Sequence, residues 1–137
     1  MDGGSPAQVT AEADEFPAIS PDGKLIAFRF QDEKQDQRAR MGVRLASGGG
    51  VVKTFEFAAR DTKEIEWLPN GAALSYIAEK NGVSQVWVQP VSGGAPRLAT
   101  NFQNCSIFRY AWSPDAKRLA MSRGNWNSDV VLFRDGQ

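Results

Sequence analysis

The sequence predicts an all-β chain, a partial β-propeller of about three four-stranded antiparallel blades whose last blade lacks its outermost strand. Three observations predict it. A strand–turn–strand segment occurs three times at a near-constant interval. A glycine turn recurs between those segments. No stretch carries a helical apolar period.

The recurring segments are Ala18–Phe28, Glu66–Tyr76 and Ala111–Met121. Pro21 and Pro69 lie 48 residues apart, and Pro69 and Pro114 lie 45 apart. Aligned without gaps, large apolar residues coincide at Ile19/Trp67/Trp112, Ile26/Leu74/Leu119 and Phe28/Tyr76/Met121. Proline presets φ for a turn, and the Asp-Gly or Asn-Gly that follows tolerates positive φ. Apolar residues then alternate with the period of a strand. Each segment therefore reads as a hairpin.

Between the hairpins, Val43–Gly49 matches Val88–Gly94, and each ends a strand on a Ser-Gly-Gly turn. The strands Val51–Phe57 and Pro96–Thr100 follow. Val130–Gly136 begins the same unit a third time. Four strands per period of about 45 residues is the pattern of a propeller blade. Gln31–Arg40 is polar apart from Ala39 and has no apolar face, so it reads as a solvated loop.

The expected division is a single domain over 1–137. Residues 1–14 form the outermost strand of a split blade, 15–60 and 61–102 form whole blades, and 103–137 form a three-stranded incomplete blade. Asp2–Thr10 matches Ser92–Thr100, so the opening half-unit complements the one at the end. Propellers have about 4–8 blades. Three alone would leave bare sheet faces and unpaired edges. Either a longer protein covers them, or two copies close a six-bladed ring. For the chain by itself the expectation is the homodimer.

Ser20-Pro21-Asp22-Gly23-Lys24 followed by Leu25-Ile26-Ala27-Phe28 resembles the WD40-like repeat of TolB-type propellers. The resemblance runs from Gly3 to Gly136 and departs from the pattern at Leu68, Asn70 and Ala116. Ser128-Asp129-Val130-Val131-Leu132 is also similar to the C-terminal propeller of bacterial kinase- or winged-helix-linked proteins. The resemblance implies a protein-binding or ligand-sensing scaffold in a larger bacterial signalling or envelope protein, on the extracytoplasmic side. The competing expectation is the gating or substrate-binding propeller of a serine peptidase or polysaccharide lyase.

Composition narrows the chemistry. Lys+Arg and Asp+Glu both number 16, so there is no basic excess to neutralise phosphates, and nucleic acid is not an expected partner. No apolar run approaches bilayer length, and Met1–Pro6 has no signal-peptide pattern. With no histidine, a Ser-His-Asp triad is excluded and the commonest general base and metal ligand are missing. The single cysteine, Cys105, has no disulfide partner within the chain and reads as a small loop residue. No catalytic residue, cofactor or metal is expected. Gly48-Gly49-Gly50 lacks the Lys-Ser/Thr of a phosphate cradle and reads as a turn.

Strand alternation sends the Pro-Asp-Gly and Ser-Gly-Gly turns to one rim. The other rim collects the longer, more varied connections, where binding usually sits. The candidate binding residues there are Arg123, Asn125, Trp126, Asn127, Arg60, Asp61, Asp32 and Lys80. Trp126 between two amides suits sugar or peptide recognition, or else folds over the blade edge. Asp32, Glu33 and Asp36 are interspersed with Lys34 and Arg38, which reads as a solvated loop. Trp67, Trp87, Phe108, Tyr110 and Trp112 fall on strands and read as core. The expected partner is a protein or small ligand on this rim, with no membrane insertion.

Overall fold

The computed structural model describes residues 4–8, 14–31 and 38–125. Among these there is no helix. β1 (Glu15–Ile19), β2 (Leu25–Gln31), β3 (Ala39–Leu45) and β4 (Val51–Glu56) form one antiparallel sheet in chain order. β5 (Asp61–Trp67), β6 (Ala73–Lys80), β7 (Val83–Pro90) and β8 (Arg97–Leu98) form a second. β9 (Ser106–Trp112) and β10 (Leu119–Gly124) form a third. The expected strand at Val130–Phe133 lies outside the described residues. At the other end, Gly4–Gln8 are exposed and form no strand, while Val9 and Thr10 lie outside the described residues.

The proline turns are built alike. In the first, Ser20 N–H donates to Leu25 O at 2.8 Å and Gly23 N–H donates to Ser20 O at 2.8 Å. Ser20 Oγ donates to Asp22 Oδ1 at 2.6 Å and accepts Leu25 N–H at 2.9 Å. The third turn repeats this with Ser113, Asp115 and Arg118. These bonds to Ser20 and Ser113 hold the Asp22 and Asp115 carboxyls below the usual range.

The three departures from the repeat each have a physical reading. Leu68 gives up the serine hydroxyl but is buried with Ala73 and Val88, next to Trp112. Asn70 Oδ1 still accepts Ala72 N–H at 3.0 Å, as the aspartates do from their lysines. Ala116 has φ 56° where Gly23 and Gly71 have 73° and 70°. That region penalises a Cβ by roughly 1–2 kcal/mol, and glycine returns part of it as unfolded-chain entropy. Ala116→Gly is therefore expected to stabilise the protein by about 0.5–1 kcal/mol in urea titration.

Two loop expectations are shortened. β2 runs on to Gln31 and β3 begins at Ala39, so both ends of Gln31–Arg40 belong to strands, and residues 32–37 lie outside the described residues. Lys80–Val83 is a two-residue hairpin, with Asn81 and Gly82 at φ 54° and 75° as a primed turn requires. Both complete sheets also bulge in their first strand. Phe16 and Glu64, 48 residues apart like the prolines, sit there at φ 53° and 54°.

The sheets stack face to face in chain order, and each has a front toward the preceding sheet and a back toward the next. Ala18, Leu25, Ala27, Met41 and Val43 on the first back meet Ile65, Trp67, Leu74, Tyr76 and Ala78 on the second front. Ile77 and Val86 on the second back meet Ile107, Tyr110, Trp112 and Met121 on the third front. Polar bonds tie both contacts. Trp67 Nε1 donates to Ala18 O at 2.9 Å. Trp112 Nε1 donates to Ser75 Oγ at 2.9 Å, and Tyr110 OH donates to Glu64 O at 2.8 Å.

Tyr76 and Tyr110 are the chain's two tyrosines. Burial pushes both hydroxyls above their ordinary value of 10.0. The fold thus favours the neutral phenol, and this contribution is intact below pH 10 and lost as pH rises beyond it. Phenolate absorbance from both residues should appear in one step that coincides with alkaline unfolding. A tyrosine titrating near pH 10 in the folded protein would contradict this.

Candidate functional site

The short turns Ser20–Lys24, Ala46–Gly50, Leu68–Ala72 and Val91–Gly94 lie on one rim because strand direction alternates through each antiparallel sheet. The opposite rim holds the β4–β5 connection, the β6–β7 hairpin, the β8–β9 connection and the end of β10. The described candidates all fall on this second rim. Arg60 is exposed in the bend before β5. Asp61 opens β5, exposed and opposite Glu79. Lys80 is exposed at the end of β6, opposite Val83. Arg123 pairs with Ile107 near the end of β10, and Asn125 follows, exposed. Asp32, Trp126 and Asn127 lie outside the described residues.

A set of side chains links several of these positions. The Arg123 guanidinium lies 4.4 Å from the centre of the Phe102 ring, and its Nη1 lies 3.7 Å from Cys105 Sγ. Cys105 O accepts Ser84 N–H at 3.0 Å. Ser84 Oγ donates to Glu79 Oε2 at 3.0 Å. Glu79 sits across from Asp61, next to Lys80. Arg123 is thus linked through Cys105 and Ser84 to Glu79, whose register partner is Asp61 and whose chain neighbour is Lys80. Arg60 adjoins Asp61 but makes none of these contacts.

The β8–β9 connection is irregular yet held. Gln85 Nε2 donates to Phe102 O at 2.6 Å, and Gln85 Oε1 accepts Phe102 N–H at 3.0 Å and Thr100 Oγ1–H at 2.7 Å. Thr100 Oγ1 in turn accepts Val86 N–H at 2.9 Å. One glutamine side chain thereby replaces the ladder bonds that the two-residue β8 does not make. It presents Phe102 as a fixed platform under Arg123.

Phe102, Gln85, Glu79 and Ser84 were not legible as site residues. Gln85 looks like any solvated strand glutamine, and Phe102 like any loop aromatic. Only their meeting across 17 residues gives them a role. Chemically, the rim offers a cation fixed over an aromatic ring and, along the same rim, carboxylates, an ammonium and an amide. Such groups bind reversibly through charge, stacking and hydrogen bonds. Among the described residues, no group of three or more Cys, Asp and Glu side chains is placed to hold a metal ion. No helix there is long and apolar enough to cross a membrane.

No protein-family model matches the chain, and no curated protein matches it. Among solved structures, TolB from Acinetobacter baumannii is similar, with a TM-score of 0.63 and 23% identity over 78% of this chain. The fold is that of a TolB-like β-propeller. The chain spans 26% of the length of that TolB chain, and at this identity the likeness speaks for the fold alone. In a propeller the sheets are blades arrayed about an axis. Hence the two rims are the two mouths of an arc, and the site described above lies on one of them.

Proposed function

We propose that the chain is a non-catalytic interaction module, a stretch of propeller that binds a protein or small ligand on its loop rim. It serves a larger bacterial signalling or envelope protein on the extracytoplasmic side. The observation that carries this reading is the Arg123–Phe102 platform, held by Gln85 on the rim that also carries Lys80 and Asp61. A rigid aromatic–cation pair recognises a ligand with little loss of conformational entropy. The opposite rim repeats two short turn designs and offers no comparable variety. The TolB-like fold supports a scaffold role, and the resemblance of the repeats to those of kinase- and winged-helix-linked propellers supports the compartment.

The test is a peptide and glycan array probed with the purified chain, followed by titration of the best binders. Arg123→Ala and Lys80→Ala should each weaken binding about tenfold, and Lys24→Ala on the turn rim should leave it unchanged. Binding lost in Lys24→Ala but kept in Arg123→Ala would place the site elsewhere and refute the proposal, as would turnover of a bound peptide or glycan.

A further inference from the structure

At the loop-rim end of the third sheet, one fixed cation has no opposite charge. Arg29, Arg40 and Arg44 each pair with a carboxylate, while Arg123 pairs with none among the described residues. Its guanidinium lies 4.4 Å from the centre of the Phe102 ring, and that ring packs on the core between the second and third sheets. The main chain of Phe102 is bonded on both sides by Gln85. A guanidinium laid over a ring keeps N–H donors in its own plane, where they fork onto two oxygens. Arg123 is therefore a positioned charge that no carboxylate of the described residues neutralises.

Amide side chains gather along the same stretch. Asn101, Gln103 and Asn104 are exposed in the connection that carries Phe102. Asn125 is exposed directly after Gly124, whose register partner Ser106 closes that connection. Gln103 Nε2 donates to Asn101 Oδ1 at 3.2 Å, which leaves Gln103 Oε1 to accept and Asn101 Nδ2 to donate. An amide offers both a donor and an acceptor, as a sugar hydroxyl does. The exposed large hydrophobics of the described residues all lie on the first two sheets, so this corner offers a peptide side chain no large apolar neighbour.

We propose that this corner binds an acidic saccharide. Arg123 holds the carboxylate of a uronic acid, and the amides of Asn101, Gln103, Asn104 and Asn125 exchange hydrogen bonds with its ring hydroxyls. The saccharide site rests on the reading of the loop rim as a binding surface and gives that surface a ligand class. One guanidinium balances the single charge of a carboxylate, whereas a phosphate monoester carries nearly two. Because the ring already fixes the guanidinium, little side-chain freedom is lost on binding. The contact is exposed to solvent, so a single sugar should bind with a Kd of about 1 mM.

Titration of the 137-residue chain with glucuronate, glucose, glucose 6-phosphate and acetate, followed by proton–nitrogen NMR, tests this. Glucuronate should shift the side-chain amide signals of Asn101, Gln103, Asn104 and Asn125 and the Arg123 Nε–H. It should bind about tenfold more tightly than glucose or acetate, the factor for one charge-assisted contact. Arg123→Ala should lower its affinity about tenfold, Arg123→Lys should recover only part of that, and Asn125→Ala should cost about threefold. Lys24→Ala on the turn rim should change nothing. Equal binding of glucuronate and glucose, or of glucuronate and acetate, would overturn the proposal, as would tighter binding of glucose 6-phosphate. If a peptide binds through Arg123 while glucuronate does not, the saccharide site falls and the binding role of the rim stands. If neither binds, both fall.

Discussion

Trp67→Ala should lower the unfolding free energy by about 3–5 kcal/mol, the range for emptying a buried aromatic site. Trp67 is among the core residues between the first and second sheets, beside Ile65, Leu74 and Tyr76. Its removal deletes one of the two tryptophans of that contact and leaves Ala18 O without the indole donor. Neither loss is easily recovered, because Trp67 and Ala18 sit on strands whose ladders hold the backbones apart. Urea unfolding monitored by circular dichroism gives the number. Trp67→Phe separates the two terms. It keeps most of the ring area, so it should cost about 1–2 kcal/mol, chiefly the bond and part of the volume. A loss below 1 kcal/mol in Trp67→Ala would mean that the first two sheets do not depend on each other.

The second large effect is expected at Ser75, which is wholly buried on the back of the second sheet. Its hydroxyl oxygen accepts Trp112 Nε1–H at 2.9 Å and lies 3.0 Å from Tyr110 OH. Tyr110 commits its own proton to Glu64 O, so the serine donates to the tyrosine. One small side chain thus satisfies two aromatic residues from the neighbouring sheet. Ser75→Ala leaves the indole N–H buried and unpaired, and should cost about 1–3 kcal/mol. In a double-mutant cycle, Trp112→Phe should be markedly less costly in the Ser75→Ala background than in wild type, because its donor is already stranded there. Additive losses would show that the indole finds another acceptor.

Ser75 and Trp67 differ in how far the sequence announces them. Trp67 stands at a repeat position shared with Trp112 and Ile19, so its place in a packed face is legible from the register of Pro21, Pro69 and Pro114 alone. Ser75 stands where the other repeats have Ala27 and Ala120. Nothing local separates a bridging hydroxyl from a small spacer. The bonds exist because β9, some 35 residues away in the chain, brings an indole donor and a phenol acceptor to the serine. The rim follows the same pattern. Alternation of strand direction is enough to put Arg60, Asp61, Lys80, Arg123 and Asn125 on one side. The platform under Arg123 needs Gln85 and Phe102 to meet, and that meeting belongs to the packed sheets.

The hairpins and the turn chemistry were settled by the chain itself, since a proline, an aspartate and a glycine act on φ and on neighbouring N–H groups within five residues. The repeat interval likewise set the order and register of the strands. Which face each residue meets was decided only by stacking. Ile19, Trp67 and Trp112 are one position in the repeat, yet the first lies exposed and the others donate into a preceding sheet. Phe28 is likewise hidden by an arginine brought over it by β3, not by another blade. Hydrogen bonds between sheets join residues up to 49 positions apart. They depend on side-chain volume and on what lies opposite, and no local preference of the backbone encodes either.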